Sequence, residues 1–257
     1  MANVKSTPTK SLVRVGDGRG FVVEEKRGLC LYPKRFVVTA VHCLPRIPKP
    51  PGRQESLWEE TLSDVLGRLG RARPRIWAEC LFIDQVGDIA VLGSPDNEER
   101  GEQAEAYEEL VEAATPLAIG GTFPRETSTP VFVIALDGHV IAGKALHVGG
   151  SLWIDETDEP IAPGMSGSPV LDERGAAIGI ISRGDVKGNI SRDTRGNITG
   201  DRDSGGDAAR LLAHLPGWLL VSLGAAKALH TEAKLARAYY RDHEAKITAA
   251  VARQLPQ

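Results

Sequence analysis

Two serines stand in the stretch "IAPGMSGSPVL", residues 161–171, where glycines and prolines crowd the chain into a turn that runs straight into an apolar segment. Either Ser166 is a nucleophile presented on a sharp bend, or the stretch is a tight turn between strands, because Gly, Ser and Pro serve both purposes. A serine hydroxyl attacks a carbonyl carbon only when a histidine takes its proton and a carboxylate orients that histidine. The chain offers both partners. His42 sits in "RFVVTAVHCL", where an apolar run at 36–40 breaks into a short turn that would present the imidazole at a strand terminus. Asp88 opens "DIAVLG", and Asp84, four residues earlier, is a competing carboxylate. Singly, each has a plain structural use: a histidine beside a core strand, an aspartate capping a strand, a serine in a turn. Joined in space, they would carry out acyl transfer.

Joining them requires elements that bring residues 42, 88 and 166 to one place. Apolar runs of strand length recur between turn signals: "GFVVEE", "LCLYP", "RFVVTA", "IWAECLFID", "DIAVLG", "PVFVIAL", "HVIAGKALHV", "SLWID", "SPVLD" and "AIGIIS". Many short strands at close spacing predict a mainly β fold, a barrel or sandwich rather than βαβ units. Two helical insertions are predicted among them. Residues 55–69 place Leu57, Thr61, Leu62, Val65, Leu66 and Leu69 at helical spacing, and residues 98–113 form an acidic segment that reads as a solvated helix. Residues 183–206 are polar and glycine-rich and read as a loop with at most short strands. From 225 to 255 the chain contains neither Gly nor Pro and is rich in alanine, between Gly224 and Pro256, which predicts a long C-terminal helix. Leu229, Ala233, Ala236, Tyr240, Ile247 and Val251 fall on one stripe of that helix, which must cover the barrel or dock a partner.

Composition narrows the function classes. In 257 residues, 42% hydrophobic and 25% charged, there is apolar material for a sizeable core. A formal net charge of −3 lacks the basic excess of a nucleic-acid binder, and membrane surfaces are not favoured. The N-terminal residues lack the apolar core of a signal peptide, and no run approaches the length of a membrane span, so a cytoplasmic location is expected. Cys30, Cys43 and Cys80 are too few and too scattered for a disulfide framework or a zinc site; no metal and no cofactor is expected.

The order of the motifs is more specific than any one of them. "TAVHC", then "DIAVL" 46 residues after His42, then "GMSGSPV" with Ser166 78 residues further on, resembles the chymotrypsin-like (trypsin-like) serine proteases, and "GIISRG" at 179–184 extends the likeness. The resemblance spans 18–184 and implies two antiparallel β-barrels with the catalytic cleft between them. It implies a domain over 1–206 and a C-terminal helical segment over 207–257. By the same resemblance Ser166 is the nucleophile, His42 the general base, and Asp88 the group that orients it. The amides of Gly164 and Ser166 form the oxyanion hole. Pro160, Ile161, Ser182, Arg183 and Gly184 line the substrate cleft, Ser182 supporting the triad and Gly184 pairing with substrate backbone. The implied activity is serine endopeptidase acting on protein or peptide through an acyl-enzyme; the alternative is a silent binding module on the same fold. An α/β-hydrolase is disfavoured because that fold orders its triad Ser, Asp, His.

Departures from the digestive enzymes also inform. Met165 stands where those carry an aspartate that receives a freed N-terminus, so control by zymogen clipping is not expected and a regulatory partner or fused domain is. "GMSGSPV" and "GRGFVV" look closer to bacterial proteases of the HtrA and glutamyl-endopeptidase type, with no room for a PDZ domain after Gly184. Cys30 and Cys43 resemble a disulfide pair of secreted relatives and are expected as free thiols in a reducing compartment. Pro160, six before the nucleophile, falls at the base of the primary pocket, which argues against a preference for Lys or Arg; Glu159 lies one position away.

Overall fold

The computed structural model describes residues 8–26, 33–45, 60–70, 73–84, 87–95, 101–120, 128–148, 151–183, 190–192, 198–200, 207–212 and 215–225. Six strands close the first barrel: β1 (Leu12–Val15), β2 (Gly18–Glu24), β3 (Arg35–Thr39), β4 (Glu60–Gly67), β5 (Ile76–Asp84) and β6 (Ile89–Gly93), in the order β1-β2-β3-β6-β5-β4. A helix, α1 (Gly101–Glu112), leads to the second half. There β7 (Thr129–Ile134), β8 (Val140–Val148), β9 (Ser151–Asp155), β10 (Pro169–Leu171), β11 (Ala177–Arg183) and β14 (Asp207–Leu211) close a second barrel in the order β10-β11-β14-β9-β8-β7. A separate hairpin pairs β12 (Ile190–Arg192) with β13 (Ile198–Gly200), and α2 (Gly217–Ser222) follows the second barrel. All pairings between named strands are antiparallel, so this is the chymotrypsin-type pair of barrels expected from the motifs.

The central strands are buried on both faces because the barrels are small and their outer surfaces are covered. All five residues of β6 are buried, as are six of seven in β2. Helix α1 shows how one outer face is sealed. Its Tyr107, Leu110 and Val111, spaced i, i+3, i+4, are buried, and the fully enclosed Tyr107 hydroxyl lies 3.1 Å from the carbonyls of both Arg35 and Leu92. Arg35 then caps the far end of α1, donating to the carbonyls of Val111 (2.9 Å) and Glu112 (3.2 Å), while Glu24 holds the other side of its guanidinium at 2.7 Å.

Two expectations are corrected. The helix predicted over 55–69 is a strand from Glu60 to Gly67; residues 55–59 lie outside the described residues. The helical spacing has a physical cause. Leu62 pairs with Ala78 and Leu66 with Ile76, so four steps along β4 match two along β5, with Asp64 at φ +52° in the bulge. The extra residues turn Leu62, Val65 and Leu66 all inward, where each is fully buried, and an i, i+3, i+4 pattern results without a helix. The second correction concerns the boundary after 206: β14 bridges β9 and β11, so the second barrel runs beyond it. The acidic segment is helical as read, over Gly101–Glu112. Beyond Ala225 the expected C-terminal helix lies outside the described residues, as do Cys30 and most of "LCLYP".

Candidate active site

Strands β3 and β6 are neighbours, with Thr39 opposite Ala90, so the residues just past the end of β3 and just before the start of β6 must meet. His42 lies on a single 3-10 turn, Val41–Cys43, whose flanking residues are buried while its own ring is left outside. Asp88 adopts a left-handed backbone, φ +52°, immediately before β6, and its carbonyl accepts the Val41 N–H at 3.4 Å. Side chains then complete the junction. The Asp88 carboxylate takes the His42 backbone N–H on Oδ1 at 3.1 Å and faces ring Nδ1 with Oδ2 at 2.8 Å. Ser182, only 2% exposed on β11 of the other barrel, donates its hydroxyl to the same Oδ2. Asp84, the competing carboxylate, is engaged elsewhere: its Oδ1 accepts the Gly87 N–H at 2.8 Å.

Electrostatics follow from these contacts. The hydrogen bond to Asp88, and after it that to Cys43, hold the His42 imidazole above its ordinary pKa against burial, which pulls it down. Burial disfavours the Asp88 carboxylate, but the hydrogen bonds from His42 and Ser182 outweigh it, and its pKa lies below the ordinary value. Nδ1 is therefore committed to Asp88, and Nε2 is the ring atom left for another partner.

Ser166 belongs to a bend that two glycines make possible. Gly164 and Gly167 stand at φ +89° and +80°, where a side chain would be strained. A Cβ on Gly167 would fall 1.9 Å from the Arg19 carbonyl oxygen, so the bend is pressed against β2 of the first barrel. The Arg19 N–H donates to the Ser166 carbonyl at 2.8 Å, and the Gly167 N–H to Ile181 of β11 at 2.7 Å. Gly18 closes the gap toward the histidine. A Cβ there would lie 2.4 Å from Cys43 Sγ and 2.8 Å from the Ser166 carbonyl oxygen, so one glycine separates Ser166 from the residue after His42. Ser166 is half-buried; Ser168 is fully buried, its hydroxyl without a hydrogen-bond partner among the described residues. Among the described residues no hydrogen bond joins the Ser166 hydroxyl to the His42 ring, and neither the Gly164 nor the Ser166 amide is spent on a protein acceptor.

The remaining predicted positions divide. Pro160 is exposed and Ile161 buried, at the start of the loop that ends in Ser166; Arg183 ends β11, and Gly184 lies outside the described residues. Met165 turns inward, 1% exposed, with its thioether 3.3 Å from the Ala162 N–H it accepts. Cys43 and Cys80 are free, buried thiols. Sequence reasoning missed Arg19, whose guanidinium is buried beside the bend. It also missed His139, which faces Asp137 at 2.6 Å and Glu159 at 3.2 Å and so links the turn after β7 to the segment before Pro160. A charged residue between two glycines, in "GRGFVV", was the available signal for the first.

The trypsin-like peptidase domain model matches residues 18–180, well over half of the chain, and the chain belongs to that family. Solved structures similar to it include an inactive serine-to-alanine mutant of Rv3671c from M. tuberculosis H37Rv, at 14% identity over 84% of this chain and 87% of that one, TM-score 0.46. The apo protease domain of MamO from Magnetospirillum magneticum is also similar, at 14% identity over 85% of this chain and 98% of that one, TM-score 0.42. A second Rv3671c protease structure, again an inactive form, has 17% identity over 85% and 91% of the respective chains, TM-score 0.44. No curated protein matches the chain.

Proposed function

We propose that this chain is a serine endopeptidase that hydrolyses peptide bonds through an acyl-enzyme, with His42, Asp88 and Ser166 as its triad. The observation that carries the reading is the His42–Asp88 pair, bonded through both the ring and the backbone at 2.8 and 3.1 Å, in a chain of the trypsin-like peptidase family whose Ser166 is held one glycine away. His42 Nε2 takes the proton of the Ser166 hydroxyl as it attacks the substrate carbonyl, and Asp88 stabilises the imidazolium. The unspent amides of Gly164 and Ser166 receive the oxyanion, the left-handed glycines aiming them. The imidazolium returns its proton to the departing amine, and water repeats the sequence on the acyl-enzyme. Such hydrogen bonds often tighten only around bound substrate, which accounts for a hydroxyl not yet bonded to the ring. Met165 cannot pair with an amine, so activation proceeds without a freed N-terminus, and restraint comes from a partner or attached segment. The location we assign is cytoplasmic.

A fluorophosphonate probe tests the reading, because a histidine-activated serine reacts with it far faster than an ordinary one. The expected result is a single adduct on Ser166, absent from Ser166→Ala and His42→Ala and retained in Ser168→Ala. A folded wild-type chain left unlabelled would show the silent binding module instead.

A further inference from the structure

We propose that Arg19 is a positioning residue for this hydrolysis, holding the barrel that carries His42 in register with the loops that carry Ser166 and Gly164. The proposal rests on the hydrolase reading above. Arg19 lies on β2 between two glycines, and its side chain is 5% exposed. Its guanidinium crosses to the second barrel, Nη1 donating to the carbonyls of Ile134 (3.2 Å) and Ala135 (2.9 Å) and Nη2 to that of Leu136 (2.9 Å). Those three consecutive carbonyls begin where the β7–β8 ladder ends, at the Ile134–Val140 pair. A planar guanidinium spreads its donors over separate, fixed nitrogens, here Nη1 and Nη2, whereas an ammonium offers its three donors from one atom, which is why arginine rather than lysine suits the position.

The main chain of the same residue holds the nucleophile. Its N–H binds the Ser166 carbonyl at 2.8 Å, its carbonyl takes the Thr39 hydroxyl at 2.7 Å, and Gly167 packs onto that carbonyl without room for a side chain. The turn gripped by the guanidinium reaches the other end of the bend. Leu136, 53% exposed, has its Cδ2 3.7 Å from where a Cβ on Gly164 would stand. The turn is closed by the Gly138 N–H to Ala135 carbonyl bond at 3.1 Å and tied on to Glu159 through His139. Arg19 therefore touches the Ser166 side of the proposed oxyanion corner through its backbone and supports the Gly164 side through its fork. Burial of a guanidinium against carbonyls alone is costly, and Asp137, on the same turn, opposes that cost in part.

The test compares wild type, Arg19→Met, which keeps the length and burial but removes every side-chain donor, and Arg19→Lys, which keeps one cationic donor group. Fluorophosphonate labelling rate and peptide kcat are read per folded molecule, alongside KM and the pH profile. Loss of register predicts that Arg19→Met falls on the order of 10²-fold in both rates, as displacements of about 1 Å do, with KM changed less than about threefold. Its acid limb stays where the wild type has it, because Asp88 and Cys43 still surround His42, and Arg19→Lys recovers only part of the loss. A merely structural arginine would lower the melting temperature and leave the folded enzyme's rates intact; that result overturns the proposal. If Arg19→Met does not fold, a fully active Arg19→Lys overturns it as well, since one ammonium cannot replace the fork. A wild-type chain inert to the probe defeats the hydrolase reading and this proposal with it, whereas a labelled wild type matched by Arg19→Met defeats this proposal alone.

Discussion

Replacing Asp88 by asparagine changes one atom and should undo the base. In the wild type the carboxylate binds the His42 backbone N–H with one oxygen and ring Nδ1 with the other, at 3.1 and 2.8 Å. An asparagine that keeps the backbone bond turns its NH2 toward Nδ1. That nitrogen must then accept, the ring proton moves to Nε2, and Nε2, the base of the proposed mechanism, can no longer take the Ser166 proton. The corresponding substitution in a Ser-His-Asp protease triad lowers kcat about 10⁴-fold with geometry intact. At about 1.36 kcal/mol per decade that is about 5.4 kcal/mol of transition-state stabilisation. The assay is turnover of a peptide selected from a library by mass spectrometry, with labelling as the second readout.

The same variant carries a pH signature. His42 is raised above 6.5 first of all by Asp88, so its contribution to stability is full below 6.5 and is lost as pH rises through the folded value. Asp88 is depressed below 3.8, so its contribution is present above 3.8 and lost as pH falls through its folded value. The stability gap between wild type and Asp88→Asn should thus be widest between pH 3.8 and 6.5 and narrow above it. The acid limb of residual activity should move down, because the largest cause raising His42 is gone. Asp84→Asn should stay within about tenfold of wild type, since the amide oxygen can still accept the Gly87 N–H. An Asp88→Asn enzyme retaining more than about a tenth of wild-type kcat, or an Asp84→Asn enzyme more damaged than it, would refute the reasoning.

Other substitutions probe the supports. Gly167→Ala places a methyl 1.9 Å from the Arg19 carbonyl at φ +80°, and should abolish labelling while lowering the melting temperature. Met165→Asp buries a carboxylate where the thioether now accepts the Ala162 N–H, and should silence the probe reaction; Met165→Leu, nearly volume-conserving, should cost less than about 1.5 kcal/mol in urea unfolding and keep most labelling. Tyr107→Phe removes the hydroxyl placed between the Arg35 and Leu92 carbonyls, and should cost about 1–3 kcal/mol with Ser166 reactivity per folded molecule unchanged.

What the sequence disclosed depended on how local the cause was. The apolar runs within β3 and β6 announced two central strands, and the motifs at their ends placed His42 and Asp88 at adjoining termini. β4 misled because a bulge defined by its partner's register, not by its own residues, turned Leu62, Val65 and Leu66 to one face. β14 escaped notice because "DAARL" owes its strand conformation to lying between β9 and β11, and its own pattern does not alternate. For Arg19 the sequence offered a signal, a charge between two glycines, but not its partners. Nothing in "GRG" indicates that carbonyls 115 residues and more downstream will receive its guanidinium.

Held this way, the bend around Ser166 needs no charge at its base. An ionic anchor supplied late in maturation would make the loop wait for a cleavage event; the anchors seen here are in place once the barrels have closed. Met165 contributes burial, worth about 1.5–3 kcal/mol for a large apolar side chain, and a hydrogen bond within its own turn. Arg19 and Gly18 supply contacts from the first barrel and Ile181 from the second. None of these requires a free amine. On its buried side the bend is anchored from both barrels, with the Ser168 hydroxyl left without a partner among the described residues.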